Sequence, residues 1–358
     1  MTGRLHDPAV RTFASDNYAG VHPQVLAALA EANGGHQTSY GDDVYTERLR
    51  EVARAHFGPD AAVYPVFGGT GANVVALQAM CRPWSSVLCS DWAHITTDEG
   101  GAPERVAGLK LVAIPTGVTA TLDPDDVARR VVGIGDVHHA QPTVLSLTQS
   151  TELGTVYTPD ELAALVEVAH RRGLSVHMDG ARISNAAASL GLPLAALTTD
   201  VGVDVLSWGG TKNGLLGAEA VVALTPDAVA GVEFIRKTFM QLPSKMRFVS
   251  AQLLALYEGD LWLSSASHAN AMARRLADAL ADVPGVALTR PVQANAVFAR
   301  LDRAAADRLR ARYAFYDWDA DGGEVRWMCA FDTTADDVDA FVAAARDAVA
   351  GAEQPATG

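Results

Sequence analysis

Seven short apolar or β-branched runs recur through the first 225 residues, at 61–67, 86–89, 109–114, 143–148, 174–178, 203–208 and 219–224. Helical patterns separate several of them, at 71–80, 125–132, 159–171 and 181–190. A strand that is apolar along its whole length must be covered on both faces, and intervening helices supply that cover. The pattern predicts an α/β chain with a mixed, mostly parallel seven-stranded sheet. Two helices should precede the first strand. One opens at Pro23, a residue suited to a first turn, and aligns Val25, Leu26 and Leu29; the other covers 44–57 and stops at Gly58-Pro59.

The pattern changes after Pro226. Helix follows helix to about Asp282, and beyond Pro284-Gly285 the chain reads as a small α+β unit. Strands are expected at 286–288, 296–301, 313–318 and 324–329, with helices at 304–312 and 335–349. The expected organisation is an N-terminal segment plus large α/β domain over 1–250, a small α+β domain over 251–350, and a loose tail over 351–358.

Charge and cysteine content remove several function classes. A net charge of −14 disfavours nucleic acid and anionic membrane as partners, since both require clustered cations. Three cysteines, Cys81, Cys89 and Cys329, make no disulfide framework, and the first two fit as small core residues. The opening MTGRLHDPAVRTF holds no apolar core of signal-peptide length, and no apolar run approaches the roughly 18 residues of a membrane span. A reducing cytoplasm is the expected compartment. The 28 basic residues include only four lysines, Lys110, Lys212, Lys237 and Lys245, so chemistry needing a primary amine has few candidates.

Three motifs follow strands in this framework. Gly68-Gly69-Thr70-Gly71-Ala72-Asn73 leads from a strand into a helix, where small residues and free N–H groups suit an anion. It is neither a Walker loop nor a full GxGxxG, and a turn needed only for strand-to-helix packing has the same composition. His177-Met178-Asp179-Gly180-Ala181-Arg182 puts Asp179 at the end of an apolar strand, where α/β sheets bind ligands; a helix-capping Asp is the plainer explanation. In Gly209-Gly210-Thr211-Lys212-Asn213-Gly214, Lys212 is held among small residues. A partly buried amine of lowered pKa forms Schiff bases readily, whereas an exposed turn lysine would do nothing. The other lysines have blander settings. An anion cradle, a strand-end carboxylate and a glycine-flanked amine, in that order, are the three anchors that pyridoxal phosphate needs.

On these residues the chain resembles the pyridoxal-phosphate enzymes of aspartate-aminotransferase-like fold (fold type I). Within them it is similar to the low-specificity L-threonine aldolases of the β-eliminating lyase family. The likeness runs from Ser15-Asp16-Asn17 to Phe331-Asp332-Thr333-Thr334 and includes His94 and Glu324-Val325-Arg326. It implies a homotetramer or dimer with active sites at subunit interfaces. It also implies that Lys212 is the Schiff-base lysine, Asp179 the partner of the pyridine nitrogen, Gly69 and Thr70 the phosphate-loop residues, and His94 the histidine stacked on the cofactor ring. Ser15, Arg182 and Arg326 match groups that bind the substrate carboxylate, and two guanidinium forks on one carboxylate would orient it. Tyr40-Gly41 pairs with the family's active-site Tyr-Gly.

Two departures bear on the chemistry. Thr148-Gln149-Ser150-Thr151-Glu152 stands where the family commonly has Glu-Asn-Thr-His-Asn, so Gln149 falls at the position of an Asn that contacts the cofactor's phenolic oxygen. The adjacent His138 and His139 leave the register of a catalytic-base histidine open; Gly135-Asp136-Val137 before and Gln141 after favour His138. The implied reaction is reversible cleavage of an L-β-hydroxy-α-amino acid such as threonine or allo-threonine to glycine and an aldehyde. Another fold-type-I β-eliminating lyase or an aminotransferase would use the same anchors. A cofactor-binding regulator would need an added DNA-binding domain. A metal enzyme finds no HExxH or CxxC, and no metal site is expected.

Overall fold

The apolar runs pair into two sheets. The computed structural model describes residues 3–351. Strands β1 (Ala62–Val66), β2 (Ser85–Ser90), β3 (Lys110–Ile114), β4 (Gln141–Thr148), β5 (Ser175–Gly180), β6 (Val205–Trp208) and β7 (Glu219–Ala223) form one seven-stranded sheet in the order β1-β7-β6-β5-β4-β2-β3. β7 alone runs antiparallel to its neighbours β1 and β6, and the other adjacent pairs are parallel. β2, β6 and β7 are buried along their whole length, as strands covered on both faces must be.

Local sequence sets several helix ends. Thr158 and Glu161 form a reciprocal capping box at the start of Pro159–Arg171. Asp43 caps Val44–Phe57 through the Thr46 N–H, and Gly58 ends that helix at φ 100°. Pro23–Ala32 buries Val25 but leaves Leu26 half exposed, so the expected three-residue stripe is narrower than its sequence spacing implied.

Strands β8 (Val286–Leu288), β9 (Ala296–Leu301), β10 (Tyr316–Asp319) and β11 (Glu324–Met328) make a separate antiparallel sheet in the order β10-β11-β9-β8. Its core includes Trp327, Phe315 and Phe341, and Phe13 joins it with its ring 4.3 Å from that of Phe341. The Phe13 main chain donates to Ala314 O and accepts from the Met328 N–H. Burying one such ring stabilises by about 1.5–3 kcal/mol. The segment before Gly20 therefore belongs with the residues from His268 onward, and residues 20–267 form the other unit. This division differs from the expected one at 250, which falls inside the helix Arg247–Tyr257. An aromatic core contact, invisible to local patterning, moves the N-terminal segment. Of the tail expected over 351–358, only Gly351 lies among the described residues.

All three cysteines are buried and free, and burial pushes the Cys81 and Cys89 thiols up to about 11 and that of Cys329 to about 12. Among the described residues no helix is long and apolar enough to cross a membrane.

Candidate active site

Strand direction decides which residues meet. Thr148 at the end of β4 pairs with Asp179 near the end of β5, and Gly180 pairs with Trp208 at the end of β6. Because β7 is reversed, its first residue, Glu219, sits at the same edge and pairs with Val66, the last residue of β1. The segments that leave this edge carry Gly69-Thr70, His94, Asp179 and Lys212. One pocket is lined by all five, together with Asn73, Glu99, Ser207 and Glu219.

The helix Gly69–Met80 starts at this pocket with no side chain capping it, so its first N–H groups face open space. A Cβ built at Gly68 or Gly69 meets nothing within 4 Å, which leaves room for an anion in front of the loop. Gly71 has a different reason to be glycine, since a Cβ there would come within 2.4 Å of the Gln241 side chain.

Asp179 is buried. Burial acts to raise its pKa, but the ammonium of Lys212, the Ala181 N–H, the Asn73 amide and His94 outweigh it and hold the carboxyl below its ordinary range. The Ala181 N–H donates to Oδ1 at 3.0 Å and the Asn73 Nδ2 to Oδ2 at 2.9 Å. Behind it, His177 lies between the Ser146 and Ser207 hydroxyls at 2.9 and 3.0 Å, and burial lowers its pKa to about 4, so it is neutral.

Lys212 is half-buried on a short 3₁₀ turn, Thr211–Asn213. The turn is fixed from two sides. Buried Glu219 accepts the Gly210 N–H at 2.8 Å and the Thr211 N–H at 3.2 Å; burial raises its pKa against those bonds and Lys212. The Tyr257 hydroxyl donates to Gly209 O, and the Tyr257 ring packs 4.0 Å from that of Trp208. A Cβ at Gly209 would lie 2.6 Å from the Ala181 main chain, so the loop bearing Lys212 presses directly on the loop bearing Asp179.

His94 is clasped by two acids. Its Nδ1 lies 3.1 Å from Glu99 Oε1, and its main-chain N–H donates to Glu152 Oε1 at 2.7 Å. The Glu99 bond raises the His94 pKa, against burial and the nearby Lys212. Glu152 also accepts the Thr148 hydroxyl at 3.2 Å, while its buried Oε2 accepts no hydrogen bond among the described residues. Burial, reinforced by Asp179, pushes the Glu152 carboxyl up to about 7.

Residues 12–304 match the family model of the beta-eliminating lyases. The chain belongs to the beta-eliminating lyase family. It is 47% identical over 323 residues to a low specificity L-threonine aldolase of Pseudomonas aeruginosa, covering 90% of this chain and 93% of the relative. A second low specificity L-threonine aldolase, from a Pseudomonas species, is 42% identical over 90% of this chain and 93% of its own. A solved threonine aldolase of Leishmania major superposes with a TM-score of 0.88 at 27% identity, covering 94% of this chain and 99% of that one.

Several expected site residues do not line this pocket. His138 and His139 are exposed on the loop that precedes β4. That is the amino end of a parallel strand, with the eight residues of β4, on the order of 25 Å of chain, between it and the pocket. The string that favoured His138 closes the loop on itself. The Gln141 amide accepts the Gly135 N–H and donates to Gly133, Asp136 and His139 carbonyls, while Asp136 accepts from the His138 N–H and pairs with the His139 ring. Gln149 is buried, and both ends of its amide bond to the Tyr157 main chain, at 2.9 and 3.1 Å, so it offers nothing to the pocket. Tyr40 is exposed at φ 62° with the Lys237 ammonium 4.6 Å over its ring, and it lines a different groove with Arg50, Tyr64 and Arg236. Arg182 is the N-cap of Ile183–Leu190, three residues beyond Asp179.

Ser15 and Arg326 belong to the unit built from both chain ends. Ser15 Oγ accepts the Asn17 N–H, and the Arg326 guanidinium reaches Ala14 O at 3.4 Å while lying 4.8 Å over Trp318. Asn73, Glu99, Glu152, Ser207 and Glu219 were not singled out from sequence. A carboxylate followed by two glycines five residues after a histidine, as in Asp98-Glu99-Gly100-Gly101, was the one available signal.

Proposed function

We propose that the protein is a pyridoxal-phosphate-dependent aldehyde-lyase that cleaves L-threonine, L-allo-threonine and related L-β-hydroxy-α-amino acids, reversibly, to glycine and an aldehyde. The observation that carries this reading is the single pocket in which a half-buried Lys212 and a buried, ionised Asp179 face an uncapped helix start, in a chain this similar to threonine aldolases. The donor set fits the cofactor. Open space before Gly68 and Gly69 suits a phosphate, Asp179 suits a protonated ring nitrogen, and Lys212 suits an aldehyde carbon.

When bound, pyridoxal phosphate supplies an electron sink joined to the substrate's α-carbon. The chain's own residues do the rest. Lys212 would hold the cofactor through its side-chain amine. Asp179, kept ionised by Lys212, Ala181 and Asn73, would hold the ring nitrogen in its protonated form. Gly69 and Thr70 would present the phosphate loop, and Arg182, at the start of the helix that follows Asp179, would bind the substrate carboxylate. His94, which lines the same pocket as Lys212 and Asp179, would stack on the cofactor ring and receive the proton of the β-hydroxyl.

The active assembly in this reading is a homotetramer or dimer with sites at subunit interfaces, a role for the exposed apolar side chains of Leu26, Phe67, Leu216, Phe234 and Met240. A cytoplasmic setting keeps the three thiols reduced. The test is product analysis with L-threonine and pyridoxal phosphate. Equimolar acetaldehyde and glycine, without ammonia or a keto acid, is expected. Ammonia with 2-oxobutanoate and no aldehyde would point instead to an eliminating lyase, and amino-group transfer to an aminotransferase.

A further inference from the structure

A base that takes the β-hydroxyl proton must present an unprotonated ring nitrogen to the pocket, and an imidazole has two nitrogens that differ only in what they bond. His94 Nδ1 lies 3.1 Å from Glu99 Oε1. Glu99 is buried. Its Oε1 also accepts the Asn73 Nδ2 at 2.9 Å. Asn73 Nδ2 uses its two hydrogens on two carboxylates, Glu99 and Asp179, both at 2.9 Å. That arrangement fixes the amide orientation and leaves neither hydrogen for His94. Glu99 therefore meets His94 as an acceptor.

We propose that Glu99 is the positioning residue of this site: it holds the proton of His94 on Nδ1, leaves Nε2 bare as the proton acceptor, and balances the imidazolium that forms. The inference rests on the aldolase reading above. In the step, the β-hydroxyl proton moves to Nε2, the carbonyl of the departing aldehyde forms, and the electron pair of the Cα–Cβ bond stays with the α-carbon. Three titratable groups face this pair: Asp179 across Asn73, Lys212 in the pocket, and Glu152 at the His94 main chain. Asn73 makes the histidine and the Asp179 carboxylate parts of one hydrogen-bonded chain, so charge at one end is felt at the other. The burial of Glu99 Oε2 without a hydrogen bond among the described residues is costly, as expected of a carboxylate retained for its charge.

The test combines nitrogen NMR of the full-length protein labelled at its 10 histidines with pH–rate profiles of Glu99→Gln. A His94→Gln variant assigns the His94 signals. Wild-type His94 should titrate from the doubly protonated ring to the Nδ1–H tautomer. In Glu99→Gln its pKa should fall, the acid limb of kcat/KM should move to lower pH, and the plateau should drop by roughly tenfold or more, a share of the about 10²–10⁴-fold that a positioned base supplies. The cofactor's absorbance should persist, since none of its three anchors changes. An Nε2–H tautomer in the wild type, or an unmoved His94 pKa in Glu99→Gln, would overturn the proposal. Should Glu99→Gln not fold, the wild-type tautomer decides alone. A wild type that titrates as expected yet releases no aldehyde from threonine would sink the aldolase reading and leave the pairing standing.

Discussion

Asp179 is worth more to this site ionised than its burial would allow, and the groups that keep it so are all within the pocket. Asp179→Asn should retain some cofactor but lose turnover, because an amide cannot hold the ring nitrogen protonated; near-normal acetaldehyde release by that variant would refute the assignment. His138→Phe should behave like wild type in the same assay. That expectation reverses the one drawn from sequence register, and a hundredfold loss would restore His138 as the base. Arg182→Leu should raise KM for threonine by at least about tenfold, the scale of breaking one side of a charge-assisted pair. An unchanged KM would take the carboxylate contact away from Arg182. Lys212, Asp179 and the Gly69-Thr70 loop were legible in the sequence because each sits beside small residues after an apolar run. Asn73, Glu99, Glu152 and Glu219 were not, since an acid or amide gains its role only from the strand edge that folding brings against it.

Strands and loops were read from periodicity with small errors at their ends. The helix Pro159–Arg171 and the strand Ala296–Leu301 have the bounds that apolar spacing gave them. The functional consequence lies in contacts between elements, which spacing does not encode. The turn bearing Lys212 fits against the end of β5 only because Gly209 lacks a Cβ. Gly209→Ala should cost about 1–3 kcal/mol, as overpacking does, and lower Tm. Gly69→Ala, which meets open space, should leave Tm nearly unchanged while weakening cofactor binding. Equal Tm values for the two variants would contradict the packing account. The loop before β4 shows the opposite lesson. A string that looked catalytic is satisfied internally by one glutamine side chain, Gln141, and a hydrogen-bond network of that kind cannot be told from a site by residue type alone.

At the scale of the whole molecule, Glu152 links the site to stability. Its carboxyl goes from an ordinary value of 4.5 to about 7 in the fold, so the folded state prefers it protonated. The stability it contributes is full below 4.5 and is lost as pH rises to about 7, a change on the order of 3 kcal/mol. The stability difference between wild type and Glu152→Gln, followed by denaturant titration, should therefore fall across that window and level off above it. A difference that stays flat would show that Glu152 ionises normally. The division of the chain into two units was also only half legible. The small α+β unit was expected, but the assignment of the N-terminal segment to it depends on Phe13 entering its core. The central claim, that one pocket joins the amine, the carboxylate and the anion loop around a single cofactor, is tested most directly by borohydride reduction of the cofactor-loaded protein followed by peptide mapping. With only four lysines in the chain the result is unambiguous. The reduced cofactor should be found on Lys212 and be absent from the Lys212→Ala protein. Its recovery on Lys110, Lys237 or Lys245 would contradict the account.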